Sequence, residues 1–198
     1  MNGFDQTGFR ILFDWSAGWP LRLPLALFLA EYLPYILGLG FLMLLFEERG
    51  RRRFLWFLET VLVLILARGI VVEAIAYFHP RPRPFELLGF APILTEPATN
   101  SMPSGHAALF FALAMVVFFM SRRWGVAYFI CAAAVGLGRI FAGVHWPTDI
   151  LAGAAIGVLS ALFVHLLFAP SWRRLNRAFQ EGERVLPPPT PGQESLGI

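Results

Sequence analysis

Long apolar runs, separated by short segments rich in arginine, make up most of this 198-residue chain. A helix needs about 20 mostly apolar residues to cross the hydrocarbon core of a bilayer. Four of the runs reach that length, and a fifth run is shorter. The pattern predicts an all-α, polytopic membrane helical bundle with about five spanning helices, at Leu25–Phe46, Phe54–Phe78, Gly105–Met120, Trp124–Val144 and Thr148–Ala169.

The two ends of the chain differ from the apolar runs. Residues Phe4–Trp19 mix aromatic and charged side chains and stop at Pro20, which favours an interfacial amphipathic helix over a sixth span. From Val185 onward, three successive prolines are typical of a disordered tail. The chain therefore divides into an interfacial N-terminal segment (1–20), a membrane domain (21–182) and a tail (183–198).

The arginines are distributed unevenly between the two sides of this arrangement. Ten of the 16 follow the first, third or fifth span and so share one side, whereas Arg10, Arg22, Arg81 and Arg83 lie on the other. Arginine is enriched in the cytoplasmic loops of membrane proteins. We therefore expect residues 79–104 and the turn 145–147 to lie together on the extracytoplasmic side.

Composition agrees with a membrane protein and argues against other classes. Hydrophobic residues make up 57% and charged residues 15% of the chain, whereas in soluble domains about a quarter of the residues are charged. The net charge of +3 comes from arginine alone, beside apolar runs, so we attribute it to membrane topology and not to nucleic-acid binding. The single cysteine, Cys131, excludes an intrachain disulfide.

Two kinds of anion-binding group are expected on the extracytoplasmic side. Arg83 and Arg139 carry planar forks of donors that match phosphate oxygens. Ser104 stands at an N-cap position, and the free N–H groups of a helix that starts at Gly105 favour an anion. Taken singly, these features have simpler interpretations, namely a helix cap at Ser104 and interfacial anchors at Arg81 and Arg83.

Two histidines and a carboxylate on the same side suggest catalysis. His145 and Asp149 are four residues apart, and a carboxylate that fixes one imidazole nitrogen leaves the other free to attack. His106 is then placed to protonate a leaving oxygen. These three residues are also conceivable metal ligands, but nearby arginines would repel a cation, so an anion site is favoured. His165, near the cytoplasmic end, is expected only to pack or snorkel.

In combination, these residues resemble the type 2 phosphatidic acid phosphatase superfamily of membrane phosphatases. That family's signature is a Lys-x6-Arg-Pro, a Pro-Ser-Gly-His and a Ser-Arg-x5-His-x3-Asp. The second part matches completely at 103–106, and the third matches at Arg139, His145 and Asp149, with Gly138 in place of serine.

The resemblance implies a role for each matching residue. His145 is the expected nucleophile, which becomes phosphohistidine, Asp149 orients it, and His106 is the expected general acid. The implied phosphate ligands are Arg83, Ser104, Gly105 and Arg139. The family requires no metal ion or other cofactor for this chemistry.

The first part of the signature is incomplete. Ala76 stands where the family has lysine, and the chain contains no lysine. Arg81 is the nearest candidate to replace it as a phosphate ligand. Glu73 and Glu31 are expected near the extracytoplasmic ends of their helices and to line the pocket, since charges at membrane depth usually face a cavity or a partner. A structural pair between Glu73 and Arg68 is the alternative.

The missing lysine, the short body and Ala30-Glu31-Tyr32 resemble the bacitracin-resistance branch of undecaprenyl-diphosphatases. The resemblance implies an enzyme of the bacterial inner membrane that acts on a polyprenyl diphosphate at the extracytoplasmic face. Phosphatidylglycerophosphate, phosphatidate and lipid A are alternative substrates. A non-catalytic lipid-binding or transport protein is an alternative of another class. The expected partners are thus a phosphorylated lipid and the bilayer, and the sequence contains no indication of oligomeric state.

Overall fold

The computed structural model describes residues 3–96 and 100–185, with side chains as far as residue 178. This part of the chain is helical and contains no strand. We number the continuous helices in chain order as α1 (Gly3–Ala17), α2 (Arg22–Glu47), α3 (Gly50–Phe78), α4 (Pro84–Leu88), α5 (Gly105–Met120), α6 (Arg122–Phe141) and α7 (Pro147–Val185).

Four of these helices are long and apolar enough to span a membrane, namely α2, α3, α6 and the part of α7 that ends at Ala178. The fifth apolar helix, α5, has 16 residues, or about 24 Å at a rise of 1.5 Å per residue, and so is shorter than a typical bilayer core. It packs between α6 and α7. The predicted all-α membrane bundle is therefore confirmed.

Small residues allow α5 and α7 to approach closely. Gly153 and Gly157 of α7 face the backbone of α5, and a Cβ atom on Gly157 would lie 2.7 Å from the nitrogen of Ala112. Close packing of this kind replaces the hydrophobic effect as the source of helix association in lipid. It fixes the start of α5 beside the start of α7, where the second and third signature motifs lie.

The helix bounds differ from the prediction mainly at the end of the chain. Helix α7 continues past the predicted end at Ala169 and through Pro170. Trp172 and Leu175 are buried in the main core, and this packing explains why the helix extends into the arginine-rich segment. Residues 183–185 complete α7, and the rest of the predicted disordered tail lies outside the described residues.

Two long helices each contain a stretch of π-helix, toward the predicted extracytoplasmic end in both cases. In α2 the stretch is Phe28–Tyr32, and in α3 it is Ile65–Val72. A π-turn holds more residues than an α-turn and occurs frequently at functional sites. The two stretches carry Glu31, which was predicted at membrane depth, and Arg68, which was considered only as a structural partner of Glu73.

The predicted N-terminal helix is present as α1 and packs against α6 and α7. Phe9 is buried against Trp146, with the ring centroids 5.2 Å apart. Asp5 is also buried, although it precedes any predicted span. The N-terminal helix is therefore attached to the same end of the bundle as the motif residues.

Candidate active site

The three signature segments converge on one cavity of about 270 Å³ at the predicted extracytoplasmic end of the bundle. Five of the lining residues were predicted as catalytic or phosphate-binding residues, namely Arg83, Gly105, His106, Arg139 and His145. The cavity is lined by Arg68, Val72, Glu73, Ala76, Arg83, Glu96, Asn100, Pro103, Gly105, His106, Arg139 and His145. The sequence thus predicted which motifs meet, and the structure adds Arg68, Glu96 and Asn100 to the wall.

His145 lies in the turn between α6 and α7 and is 3% exposed. Its Nδ1 is 2.9 Å from the carbonyl oxygen of Ser101. A carbonyl only accepts hydrogen bonds, so Nδ1 carries the proton and Nε2 keeps its lone pair. Nε2 lies 3.5 Å from Nη1 of Arg83. Burial lowers the pKa of His145 below its ordinary value, so the neutral ring is favoured.

Asp149 supports this histidine less directly than the sequence suggested. Its Oδ2 lies 3.6 Å from Nδ1 of His145, which is longer than a hydrogen bond. The hydroxyl of Ser101 donates to the same oxygen, while the carbonyl of Ser101 accepts from the histidine. Ser101 therefore links the two residues. Sequence reasoning missed it because it lies outside the motif, two residues before Pro103.

Arg81 faces away from the cavity of the motif residues. Its Nη1 donates to Oδ1 of Asp149 at 2.7 Å and to Thr148, and its Nη2 donates to Asp5 at 2.7 Å. Burial opposes ionisation of Asp5, but hydrogen bonds from Thr148 and Arg81 hold its pKa below the ordinary value. Arg81 thus joins α1 to the start of α7, a placement that does not support the predicted role of a substitute for lysine.

Arg83 and Arg139 both line the cavity and are 5% and 3% exposed. Arg83 precedes Pro84 at the start of α4, where its backbone N–H is bonded to Glu86. Its Nη1 donates to the carbonyl of Val144 at 2.9 Å. The Nε of each arginine is buried and has no hydrogen-bond partner in the described part of the chain. Unsatisfied buried donors are rare, and here two of them belong to side chains of one cavity.

Glu96 is a site residue that the motifs did not reveal. Its Oε1 pairs with Arg139, and its Oε2 lies 3.6 Å from Nη2 of Arg83. Burial opposes its ionisation, but Arg139 and Arg83 lower its pKa below the ordinary value. The carboxylate is therefore an internal anion held by the two arginines that were predicted to bind phosphate.

The residues of the second motif, Pro-Ser-Gly-His, do not all face the cavity. Ser104 is fully buried, and its hydroxyl accepts from the N–H of Ala107 at 3.4 Å as the N-cap of α5. Its own N–H donates to the carbonyl of Asp149 at 3.0 Å. Ser104 is therefore a capping residue here, whereas Gly105 and His106 line the cavity.

Both interpretations of Glu73 describe part of the structure, because it pairs with Arg68 and also lines the cavity. Glu31 lines a second, larger cavity of about 580 Å³ between α2 and α5. Glu96, His106 and Arg139 line both cavities, so the two adjoin. The larger one has a partly apolar wall, formed by Leu27, Ala30, Pro34, Ile93, Leu94, Leu109 and Phe110.

The model of one protein family, described as "PAP2 superfamily", matches residues 56–173. The bacitracin transport permease protein BcrC of Bacillus licheniformis is 35% identical over 157 residues, which cover 79% of this chain and 76% of that protein. An undecaprenyl-diphosphatase of Sulfolobus acidocaldarius is 31% identical over 132 residues, covering 58% of this chain and 64% of that enzyme.

A solved structure has the same fold. The crystal structure of Aquifex aeolicus LpxE superimposes with a TM-score of 0.69 and 28% identity, covering 82% of this chain and 95% of that one. Lipid A 1-phosphatases also match the chain, so the relatives share the reaction class and not one lipid. The predicted resemblance is confirmed: the chain is a multi-pass membrane lipid phosphatase and belongs to the PAP2 superfamily.

Proposed function

We propose that the protein hydrolyses undecaprenyl diphosphate to undecaprenyl phosphate and inorganic phosphate. One observation carries the chemistry: the lone pair of His145 and the unpartnered Nε atoms of Arg83 and Arg139 belong to side chains of a single small cavity. Three groups that suit a phosphoryl group thus belong to side chains that line one cavity of about 270 Å³. The diphosphatase among the relatives favours a polyprenyl diphosphate as the substrate.

In the first half of the reaction, Nε2 of His145 attacks the terminal phosphorus. The bond from this phosphorus to the bridging oxygen breaks, and His106 gives the leaving lipid phosphate a proton. Arg83 and Arg139 neutralise the charge on the equatorial oxygens, which is the main requirement for phosphoryl transfer. His106 suits the role of the acid because it lies at the junction of the two cavities.

In the second half, water attacks the phosphohistidine. His106 is now neutral and takes a proton from this water, so that the acid of the first step becomes the base of the second. The phosphorus–nitrogen bond breaks, inorganic phosphate leaves, and His145 returns to its neutral form. Ser101 and Asp149 hold the proton on Nδ1 throughout, which keeps Nε2 available for the next turnover.

The lipid portion suits the larger cavity. Its apolar wall adjoins the phosphate cavity through His106 and Arg139, so a diphosphate can react while its chain extends between α2 and α5. Glu31 lies in the same wall. Phosphatidylglycerophosphate, phosphatidate or lipid A would use the same chemistry and differ only in this cavity.

Comparison of purified substrates tests the choice of lipid. Phosphate release by the detergent-solubilised protein should have the highest kcat/KM with undecaprenyl diphosphate, in comparison with lipid A, phosphatidate and phosphatidylglycerophosphate. It should survive dialysis against EDTA, since the cavity is lined by arginines. A higher kcat/KM with lipid A would identify lipid A as the substrate in place of undecaprenyl diphosphate. A wild type that releases no phosphate from any of them would favour the non-catalytic lipid-binding alternative.

The arginine distribution further supports an extracytoplasmic site in the bacterial inner membrane. A cysteine introduced at position 87, in α4 beside the cavity, should react with a membrane-impermeant maleimide in intact cells, and one at position 50 should not. Cys131 should first be replaced by alanine, so that each variant carries one thiol. The opposite labelling pattern would place the site in the cytoplasm.

A further inference from the structure

We propose that Arg68 is a third phosphate-binding cation of this site and takes the role of the lysine that Ala76 replaces. This inference rests on the proposed phosphatase function. Arg68 and Ala76 both belong to α3 and both line the small cavity with Arg83 and His145. Sequence reasoning considered Arg68 only as the structural partner of Glu73.

The π-helical stretch of α3 explains how Arg68 reaches this cavity. Residues eight apart in a regular α-helix are offset by about 80° around the axis, which would turn Arg68 away from the face of Ala76. The stretch Ile65–Val72 has wider turns, with fewer degrees per residue, and so reduces this offset. Arg68 and Ala76 can therefore share one wall although they are two turns apart.

The position of Arg68 beside the start of α5 favours an anion that contacts both of them. A Cβ atom on Gly105 would lie 2.9 Å from Cζ of Arg68, so the guanidinium group is in close contact with the first residue of this helix. The start of a helix carries partial positive charge, so it does not favour a cation alone. A phosphoryl group would be stabilised by both partners. Gly105 is then required because any side chain would occupy the space of Arg68.

The partner of Arg68 in the structure can be exchanged. Glu73 binds its Nη1, and the two side chains are 44% and 60% exposed. Both side chains line the small cavity, so a phosphoryl group with two negative charges that enters it can compete with Glu73. By contrast, both terminal nitrogens of Arg81 are bound to the buried carboxylates of Asp5 and Asp149. Arg68 is therefore available to the substrate, and Arg81 is not.

The contact is with the transferred phosphoryl group. Arg68 lines the small cavity but not the larger one, which is the proposed site of the lipid, and His106 lines both. The bridging oxygen belongs at the junction beside His106. The terminal phosphoryl group then lies on the far side, among Arg68, Arg83 and His145. Arg68 should thus stabilise the transition state as well as the bound substrate.

Binding of inorganic phosphate tests Arg68 separately from turnover. Titration calorimetry of the solubilised protein should show a Kd for phosphate that rises roughly 10- to 100-fold in Arg68→Gln, as expected for lost hydrogen bonds to a charged group. The Kd of Arg68→Lys should fall between those of the wild type and Arg68→Gln. Arg51→Gln removes the same charge from an exposed position at the other end of α3 and should leave the Kd unchanged.

Two further variants separate phosphate binding from a structural pair. Glu73→Gln should lower the Kd, because it releases Arg68, whereas a purely structural pair predicts that both partners weaken binding and lower the Tm alike. Ala76→Lys should restore part of the phosphate affinity and kcat of Arg68→Gln. A Kd within twofold of wild type in Arg68→Gln, no measurable phosphate binding by the wild type, or equal losses in the two partners would overturn the proposal. Phosphate binding without hydrolysis of lipid phosphates would instead contradict only the proposed function.

Discussion

Among the described residues, polar clusters lie at both ends of the bundle, and they differ in how completely their groups are paired. The inner cluster consists of Glu59, His165 and Trp172. Glu59 is fully buried, and its two carboxylate oxygens accept from His165 Nδ1 and Trp172 Nε1, both at 2.7 Å. The ring of His165 stacks on Phe119 at a centroid distance of 3.8 Å. The sequence had suggested that His165 would only pack or snorkel, and its hydrogen bond to Glu59 was not foreseen.

The outer cluster, built around Arg83, Arg139, Glu96 and His145, is paired incompletely. Two arginine Nε atoms lack partners within the described residues, and the side chains border a cavity. A fully satisfied buried network holds helices together, whereas unsatisfied donors at a cavity are costly unless a ligand completes them. Burial of charge alone therefore does not identify a site. Two unpaired donors beside one cavity do, whereas Arg22 and Trp56, in the same described part of the chain, carry unpaired buried nitrogens away from that cavity.

The largest expected difference between the clusters is between their histidines. His145→Ala should reduce phosphate release from undecaprenyl diphosphate to the uncatalysed background, because it removes the proposed nucleophile, the imidazole whose Nε2 keeps its lone pair. His165→Ala, at the inner cluster, should keep kcat/KM within about threefold and lower the Tm in detergent instead, since a satisfied hydrogen bond is lost. Normal hydrolysis by His145→Ala would remove the proposed mechanism.

His106 should have the second largest effect. His106→Ala should lower kcat by about 10²–10⁴-fold, the usual contribution of general acid–base catalysis. The loss should be larger for phosphatidate than for undecaprenyl diphosphate, because the leaving alkoxide of phosphatidate is far more basic than a phosphate monoester and needs the proton more. Steady-state kinetics on both substrates provide the test, and an equal loss on the two would contradict the assignment of the proton donor.

The glutamates of the two clusters should respond in different ways. Glu59→Gln should lower the free energy of unfolding by about 1–3 kcal/mol, because a charged acceptor of two hydrogen bonds becomes neutral. Glu96→Gln should instead lower KM severalfold, because the internal anion no longer competes with the substrate for Arg83 and Arg139. Thermal denaturation and KM, measured on both variants, give the comparison. A higher KM in Glu96→Gln would mean that this carboxylate aids binding.

The smallest effect concerns pH. Burial lowers the pKa of His145 from 6.5, and only the neutral ring has a lone pair for attack. kcat/KM should therefore remain high as the pH falls through 6.5 and decline only when the pH reaches the lowered pKa. A pH profile of kcat/KM from 4 to 8 tests this sign. A decline centred above 6.5 would indicate that the ring is stabilised as the imidazolium.

The sequence by itself determined the class of fold and the motifs that meet. Apolar runs of bilayer length permit few structures other than a helical bundle, since backbone groups must be satisfied within each segment. Because the motifs lie at helix ends on one side of the membrane, Arg83, His106, Arg139 and His145 were predicted to converge. These inferences need only the lengths of the apolar runs, the order of the motifs and the positions of the charged residues, all of which can be taken from the sequence.

Only the tertiary structure decided which charges pair with which. Arg81 and Arg83 are two residues apart, yet the first pairs with Asp5 and Asp149 and the second lines the cavity with Glu96. Arg68 reaches the site through a π-helical stretch, for which the sequence carries no recognised pattern. Partners such as Asp5 and Thr148 are separated by 143 positions. Pair energies depend on distance and burial, and both are set by how the helices pack and not by spacing along the chain.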